Sequence, residues 1–300
     1  MPLSQRAPAK INLGLHVLRQ RPDGYHDIET VLHRIDWADT IRAAPADTLS
    51  MTCSDPALPT DTDNLCLQAA HCLAEAFDVT AGAALHLEKQ VPYGAGLGSG
   101  SSDAAATLRL LSELWELDPP PGVLHDIGAS IGSDVPFFLQ NAPAAYATGR
   151  GNRLSAVSPN ATPYQLPFPL LVAAPPVEVS TPRAYAHVRP SDAGRPSLPD
   201  LVASNDLERW CTELQNDFEA PVVAAEPTVA AARSALHDTD AAYVSLAGSG
   251  GALYGLYETA AAARDARTAL QSTTYRAHLT MPEGTMPEDM APTDTKNSQT

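Results

Sequence analysis

Residues 91–117 read VPYGAGLGSGSSDAAATLRLLSELWEL, and this stretch joins a glycine-rich loop to a helical pattern. Glycines alternate at Gly96, Gly98 and Gly100, serines follow them, and apolar residues then recur with the spacing of an amphipathic helix. A loop so poor in side chains, placed directly before a helix, indicates that a ligand approaches its backbone closely.

The start of this helix predicts a binding site for phosphate. The first turn of a helix leaves about four backbone N–H groups unpaired and carries the positive end of the helix dipole. Small residues before it allow a phosphate to reach the backbone, and successive N–H groups form an anion-binding nest. Residues 94–102 fit this design, with Ser101 or Ser102 available to cap the helix or to bond a phosphate oxygen.

Two common phosphate-binding motifs do not describe this loop. A P-loop requires GxxxxGK[ST], and the loop has no such lysine. The dinucleotide fingerprint also fails, because Gly94 and Gly96 would require a glycine at position 99, where the chain has Ser99. An ordinary glycine turn before a helix is the alternative that the glycines alone leave open.

A carboxylate, Asp103, lies in the first turn of the same helix and would compete with a phosphate for the helix dipole. It serves either as a charge at the helix start or as a ligand of a Mg²⁺ ion that also contacts the phosphates. We favour the structural role.

Strands and helices are mixed along the chain without strict βαβ alternation, which favours an α+β fold. Residues 10–18, KINLGLHVL, alternate in polarity and predict a strand, which a Pro-Asp-Gly turn ends. Similar patterns predict strands at residues 28–36, 39–46 and 83–91, helices at residues 62–77 and 122–132, and a glycine-turn hairpin at residues 144–157.

A proline-rich segment, SPNATPYQLPFP at residues 158–169, divides the chain. The patterns beyond it predict a strand at residues 170–176, helices from residue 181 onward, two strands around a glycine turn within residues 241–258, and a helix at residues 259–272. We therefore expect an N-terminal domain at residues 1–157, a C-terminal domain at residues 158–278 and a disordered acidic tail at residues 279–300.

The charge of the chain limits its partners. Its 300 residues carry 19 Lys and Arg against 35 Asp and Glu, a net charge of −16, which argues against nucleic acid and anionic membranes as partners. The chain has no charged-then-apolar leader and no long apolar run, and its four cysteines form no CxxC pair. The helical spacing around Cys66 and Cys72 favours core packing over a metal site. We expect a reduced, cytoplasmic protein.

Six motifs in order carry a resemblance to a known family. The glycine-rich loop resembles the phosphate loop of the GHMP small-molecule kinases. Residues 8–31, PAKINLGLHVLRQRPDGYHDIETV, resemble the 4-diphosphocytidyl-2-C-methyl-D-erythritol kinases of the non-mevalonate isoprenoid pathway. The motifs GASIGSDVPFFL, ATGRGNRL, NDFE and LAGSGGALYGLY also match in order, so the resemblance covers about residues 7–270.

The resemblance implies a two-domain α+β fold, with an N-terminal half like ribosomal protein S5 domain 2 and a ferredoxin-like C-terminal half. The active site lies in the cleft between them, where the γ-phosphoryl group of ATP passes, with Mg²⁺, to the 2-hydroxyl of the methylerythritol unit. The implied ATP-binding residues are Pro92, Tyr93, Gly94, Ala95, Gly96, Leu97, Gly98, Ser99, Gly100, Ser101 and Ser102.

The resemblance makes Asp134 the catalytic carboxylate, which accepts the proton of the attacking alcohol. Taken alone, GSDVP also suggests a helix N-cap followed by Pro136. Lys10 is placed in the site, where its ammonium would hold Asp134 ionised and stabilise the transferring phosphoryl group. The alternative for Lys10 is a lysine at the end of a strand with its charge in solvent.

The remaining implied residues bind the acceptor. Asn12 lies on the same strand face as Lys10 and would bond the sugar alcohol or orient the catalytic carboxylate. Tyr25 would stack on the cytosine, His26 would bond the base edge, and Tyr185 would close the other side. An exposed turn aromatic or a core tyrosine is the structural alternative for the two tyrosines.

Several points stay open at this stage. The turn at residues 248–250 is either a hairpin turn or a second wall facing the phosphates. Ser99 stands where the family more often has glycine, and a positive φ there would strain it. Asn216 and Asp217 are expected only as structural supports. One alternative function is another GHMP kinase, which acts on mevalonate-like, homoserine or sugar alcohols. A second alternative is a nucleotide-binding module without catalysis. We expect a monomer or weak homodimer.

Overall fold

The computed structural model describes residues 2–158 and 162–282, and the first half of the chain forms a six-stranded sheet. Its strands are β1 (Leu3–Gln20), β2 (His26–Ala46), β3 (Ser50–Cys53), β4 (Gly82–Glu88), β5 (Ala144–Gly149) and β6 (Arg153–Ser155). The order is β3-β4-β2-β5-β6, and β1 pairs with β2 along nearly its whole length. All pairs are antiparallel except β3 with β4.

The central strand β2 replaces two strands that the sequence predicts as separate. The predicted strands at residues 28–36 and 39–46 leave out residues 37 and 38, yet Asp36 is exposed and Trp37 is buried, so the alternation continues. The long pairing with β1 carries the strand through this point. For the same reason β1 begins at Leu3, well before the predicted start at residue 10.

Four helices cover one face of this sheet: α1 (Leu65–Ala76), α2 (Ser99–Leu114), α3 (Val123–Ile131) and α4 (Val135–Leu139). The α2 helix packs against β1, β2, α1 and α4, so it is the central helix of the layer. Its buried alanines and leucines join Phe137 and Leu73 in one apolar cluster. The helix that follows the glycine-rich loop is therefore anchored in the core.

The second half forms a four-stranded antiparallel sheet in the order β10-β7-β9-β8. Its strands are β7 (Leu170–Ala174), β8 (Tyr243–Leu246), β9 (Leu253–Leu256) and β10 (Arg276–Thr280). Its helices are α5 (Thr181–His187), α6 (Leu198–Ala203), α7 (Leu207–Glu213), α8 (Glu219–Ala225), α9 (Pro227–His237) and α10 (Ala260–Leu270).

A shared apolar cluster joins the two halves. Ile11 and Leu13 of β1 belong to the same buried cluster as Leu198, Trp210 and Tyr254 of the second half. The backbone also connects them, because the N–H of Leu15 donates to the carbonyl of Gln215 at 2.9 Å and its carbonyl accepts from Asp217 N–H at 2.9 Å. The edge of β1 that does not pair with β2 is thus covered by the second half.

The first sheet ends at Ser155 and the second begins at Leu170, and the bounds 1–157 and 158–278 stay a prediction. The tail was placed too early by two residues, because Leu279 and Thr280 belong to β10 and pair with Leu171 and Leu170. Residues 283–300 of that predicted tail lie outside the described residues. Within the described part of the chain, no helix has the length and apolarity needed to cross a membrane.

Candidate active site

A cleft of about 1130 Å³ opens between the two halves and holds the predicted site. Its walls are the glycine loop (residues 92–102), the inner ends of β1 and β2, α5, and the glycine turn between β8 and β9 (residues 248–250). Every site residue predicted from the sequence lines this cleft except Ser102.

Left-handed glycines shape the glycine loop. Gly94, Gly96 and Gly98 have φ of +69°, +86° and +67°, values that L-residues with side chains rarely adopt. Gly98 is the N-cap of α2, and the first helical hydrogen bond runs from the N–H of Ser102 to the carbonyl of Gly98 at 3.0 Å. The N–H groups of residues 99–101 precede this bond, so they are the donors available to an anion.

Ser102 lies outside the lining of the cleft. Its hydroxyl donates to the carbonyl of Pro8 at 2.7 Å, and the residue is buried between α2 and β1. Neither it nor Ser101 caps the helix, because the N-cap is Gly98, which has no side chain to do so. Ser99 is the first residue of α2 and is not among the residues with positive φ, so serine is unstrained there.

The glycine turn fits against the glycine loop at backbone distance. A Cβ on Gly96 would lie 2.1 Å from the carbonyl oxygen of Ala247, and one on Gly250 would lie 2.2 Å from the amide nitrogen of Gly96. The N–H of Ala252 also donates to the carbonyl of Ala95 at 3.0 Å. Gly248, at φ +62°, supplies the turn itself. Glycine is needed here for close approach as well as for turning.

Lys10 is buried at the centre of the cleft, not extended into solvent. Its ammonium donates to the Asn12 side-chain oxygen at 2.7 Å and to the Gly96 carbonyl at 3.1 Å. The same nitrogen is 3.5 Å from a carboxylate oxygen of Asp134. One lysine therefore joins β1, the glycine loop and the predicted catalytic carboxylate.

Asp134 precedes α4 but does not cap it with its side chain. Its carboxylate is 29% exposed and faces Lys10, so helix capping does not account for the aspartate. At the other end of α4, Arg34 donates to the carbonyls of Phe137 at 2.9 Å and Phe138 at 3.1 Å. This guanidinium satisfies carbonyls that a helix end leaves unpaired and so fixes the short helix beside Asp134.

Asn12 acts on Lys10 through a buried hydrogen-bond chain. Its amide nitrogen donates to the Thr30 hydroxyl at 2.9 Å, and that hydroxyl donates to the Gly14 carbonyl at 2.6 Å. This chain fixes the amide so that its oxygen faces the ammonium of Lys10. Thr30 was missed from sequence, where nothing separates it from other strand threonines.

The aromatic residues lie together at the far end of the cleft. The rings of His26 and Tyr185 stack with centroids 4.6 Å apart, and Tyr185 meets Phe218 edge-on at 4.7 Å. Burial, with a further contribution from the charge of Asp134, raises the pKa of Tyr185 to about 12. The side chain of Tyr25 is more than half exposed after the Pro-Asp-Gly turn, available to stack on a ligand.

Arg150 is a second residue that sequence reasoning missed. Its guanidinium carbon lies 3.6 Å from the centroid of the Tyr25 ring, and the residue lines the cleft from the turn between β5 and β6. It lies between two glycines in ATGRGNRL, which is a signal that the sequence contains. The arrangement places a cation beside the aromatic end of the cleft.

Asn216 and Asp217 support the cleft from behind. The Asn216 amide donates to the carbonyls of Leu246 and Gly248, at 2.8 and 2.9 Å, and so holds the glycine turn. The Asp217 carboxylate accepts from the N–H of Val17 at 2.7 Å. The structural role expected for both residues agrees with these contacts.

Within the described residues, no group of three or more His, Cys, Asp and Glu side chains is placed to hold a metal ion. Asp103 does not line the cleft and pairs with Lys89 at 2.9 Å. It lies beyond the first turn of α2, so its expected position at the helix start was wrong, and its carboxylate is held by the buried lysine instead. The carboxylates in the described lining of the cleft are Asp134 and Glu178.

Comparison with known proteins agrees with this geometry. The family model for the GHMP kinase N-terminal domain matches residues 64–142, and that for the C-terminal domain matches residues 198–276. A 4-diphosphocytidyl-2-C-methyl-D-erythritol kinase of Salinibacter ruber is 68% identical over 279 residues, covering 93% of this chain and 98% of the relative. The chain belongs to the 4-diphosphocytidyl-2-C-methyl-D-erythritol kinase family. It is therefore a kinase and, like its family, uses ATP.

Other members of this kinase family extend the match. The enzyme of Chlorobium chlorochromatii is 43% identical, covering 93% of this chain and 96% of the relative. A crystal structure of a 4-(cytidine 5'-diphospho)-2C-methyl-D-erythritol kinase superposes with a TM-score of 0.77 at 33% identity, covering 93% and 98% of the two chains. A homoserine kinase from Cytophaga hutchinsonii, at 17% identity and a TM-score of 0.69, shares the fold. The expected two-domain GHMP fold and kinase class are confirmed.

Proposed function

We propose that this chain transfers the γ-phosphoryl group of ATP to the 2-hydroxyl of 4-diphosphocytidyl-2-C-methyl-D-erythritol, giving the 2-phosphate and ADP, in non-mevalonate isoprenoid precursor biosynthesis. The observation that carries the proposal is the Lys10–Asp134 ion pair, at 3.5 Å, in one cleft with the glycine loop and the aromatic end. The substrate named for the relatives supplies the cytidyl group.

The proposed chemistry follows from the charges of the pair. Asp134 accepts the proton of the 2-hydroxyl while the oxygen of that hydroxyl bonds to the γ-phosphorus of ATP. The bond from the γ-phosphorus to the β-γ bridging oxygen breaks, which releases ADP. Lys10 stabilises the negative charge of the transferring group. The free N–H groups at the start of α2 hold the phosphates.

We propose Mg²⁺ as the metal ion that accompanies ATP. The donor set fits a metal ion that arrives on the phosphates of ATP, because Glu178 presents oxygen ligands in the described lining of the cleft and leaves Asp134 to accept the proton. When bound, the ion neutralises phosphate charge during transfer.

The acceptor would bind at the aromatic end. Tyr25 and Tyr185 offer rings for the cytosine, and His26 offers ring nitrogens for its edge. Arg150 supplies a positive charge near the position that a diphosphate would occupy. The proposal also includes a small-molecule acceptor and a monomer or weak homodimer. It places the protein in the cytoplasm, which suits its four free cysteines.

The test measures ADP release with Mg-ATP and four alcohols: 4-diphosphocytidyl-2-C-methyl-D-erythritol, mevalonate, homoserine and galactose. We expect turnover with the cytidyl alcohol alone. Turnover with only another alcohol would overturn the substrate and keep the kinase. ATP binding without turnover of any alcohol would favour a catalytically silent module.

A second assay tests the aromatic end. Tyr25→Ala should raise KM for the cytidyl alcohol by about 5- to 140-fold, because base stacking contributes roughly 1–3 kcal/mol, and should leave KM for ATP unchanged. Equal increases in both KM values would refute the assignment.

A further inference from the structure

A buried cluster of three charges lies behind the glycine loop, outside the cleft. The ammonium of Lys89 is 2.6 Å from a carboxylate oxygen of Asp39 and 2.9 Å from one of Asp103. None of these side chains is more than 4% exposed, and none lines the cleft. A lysine buried this deeply in an acidic chain requires a reason, because removing charges from water is costly.

The first carboxylate fixes the chain where it enters the glycine loop. Asp39 belongs to β2, and its other oxygen accepts the backbone N–H of Val91 at 2.8 Å and that of Gln90. Lys89, the residue after β4, therefore holds the carboxylate that in turn holds the two residues immediately before Pro92.

The second carboxylate fixes the chain where it leaves the loop. Asp103 is the fifth residue of α2 and directly follows the loop. Between Val91 and Asp103 the chain contains the three left-handed glycines Gly94, Gly96 and Gly98. Such a segment has many accessible conformations when its ends are free, and closing its ends reduces them.

The charges in the cluster also indicate that Lys89 holds Asp39 and Asp103 in place. Burial raises the pKa of Asp103 to about 7, against the opposing effect of Lys89, and its second oxygen is buried without a hydrogen-bond partner among the described residues. The two carboxylates raise the pKa of Lys89, although burial alone would lower it, so the ammonium stays charged. Without that cation, two carboxylates would lie behind the helix terminus that is to receive phosphates.

We propose that Lys89 is a positioning residue that ties both ends of the glycine loop together and so holds its N–H groups in the arrangement that binds the ATP phosphates. The inference rests on the proposed function, because it takes residues 92–102 as the phosphate-binding segment. Lys89 acts through Asp39 and Asp103, and its side chain does not line the cleft.

The experiment compares two substitutions of similar size at Asp103. Lys89→Met would leave two buried carboxylates unpaired and can prevent folding, so it serves only as a supporting variant. Asp103→Leu removes the acceptor for Lys89 and keeps the Lys89–Asp39 pair, whereas Asp103→Asn keeps an oxygen that accepts from Lys89. Glu113→Gln, on the exposed part of the same helix, is the control for a lost carboxylate on α2.

We expect Asp103→Leu to raise the Kd for Mg-ATP about tenfold, or about 1.4 kcal/mol, in calorimetry without acceptor, and Asp103→Asn to restore affinity to within about threefold of wild type. KM for the acceptor should not change in either variant. Folded Asp103→Leu with the wild-type Kd, or equal weakening by leucine and asparagine, would overturn the proposal. This experiment measures ATP affinity and not turnover. The proposed function would instead be refuted if the wild-type protein did not turn over the cytidyl alcohol, so the two failures can be told apart.

Discussion

Gly96→Ala should disrupt catalysis by separating two backbone segments. The new Cβ would lie 2.1 Å from the carbonyl oxygen of Ala247 and 2.8 Å from the amide nitrogen of Gly250. Neither atom belongs to a side chain that can rotate away. Reaching the 3.4 Å at which ordinary contact begins requires the glycine loop and the glycine turn to move apart by about 1.3 Å.

That displacement involves the reacting groups directly. The Gly96 carbonyl accepts from Lys10 at 3.1 Å, and the neighbouring Ala95 carbonyl accepts from Ala252 at 3.0 Å. A misplacement of about 1 Å costs on the order of 100-fold in rate when reactants must be aligned. We therefore expect kcat/KM for ATP to fall about 100-fold, or roughly 2.7 kcal/mol at the transition state.

Gly122→Ala is the matched control. Gly122 has φ of +90°, close to the +86° of Gly96, but a Cβ there meets nothing within 4 Å and the residue does not line the cleft. Both variants carry the left-handed backbone cost of roughly 1–2 kcal/mol, which urea unfolding measures. A coupled ADP-release assay then measures kcat/KM for ATP in both folded variants. If kcat/KM of folded Gly96→Ala lies within threefold of Gly122→Ala, the close contact does not position the site.

Three further predictions follow from particular contacts. Asp134→Asn should lower kcat by about 10²–10⁴-fold because the proton acceptor is lost, with an unchanged melting temperature because the side chain caps nothing; unfolding of the variant would contradict this. Arg34→Met should lower kcat about tenfold with little change in KM for ATP, because it frees the end of α4 opposite Asp134; a lower melting temperature with wild-type kcat would count against it. Burial lowers the pKa of His33 from 6.5 to about 4, so the unfolded chain binds a proton that the folded chain does not. The free energy of unfolding should therefore be fully retained above pH 6.5 and should lose up to about 3 kcal/mol as the pH falls to 4. His33→Gln should lack this component in urea titrations across that range, and identical pH profiles for the two proteins would refute it.

Local patterns predicted most of the secondary structure. Strand β4, helix α1, the hairpin β5–β6 and the glycine turn between β8 and β9 all occur where alternation, helical period and glycine placement predicted them. Strand β2 was predicted as two strands, at residues 28–36 and 39–46. Pairing with β1, a contact made over a separation of about thirty residues, carries the strand through.

The site was predictable where a residue's role depends on its own backbone. The glycines of the loop are needed for left-handed φ and close approach, which are properties of glycine itself. The hydrogen bond of the Ser102 side chain could not be predicted, because its partner, the Pro8 carbonyl, is brought to it by the packing of α2 on β1. Arg150 was missed because its contact with Tyr25 joins residues far apart in the chain.

The sequence by itself determined the family of this protein, the α+β class and the position of the glycine loop, because ordered motifs, periodicity and glycine content are local properties. Only the tertiary structure decided which polar groups face one another. It brought Lys10 to Asp134, placed Asn216 behind the glycine turn, and buried Lys89 between Asp39 and Asp103. The physical reason is that a buried charge or amide is satisfied by whatever partner packing supplies, and no local pattern specifies that partner.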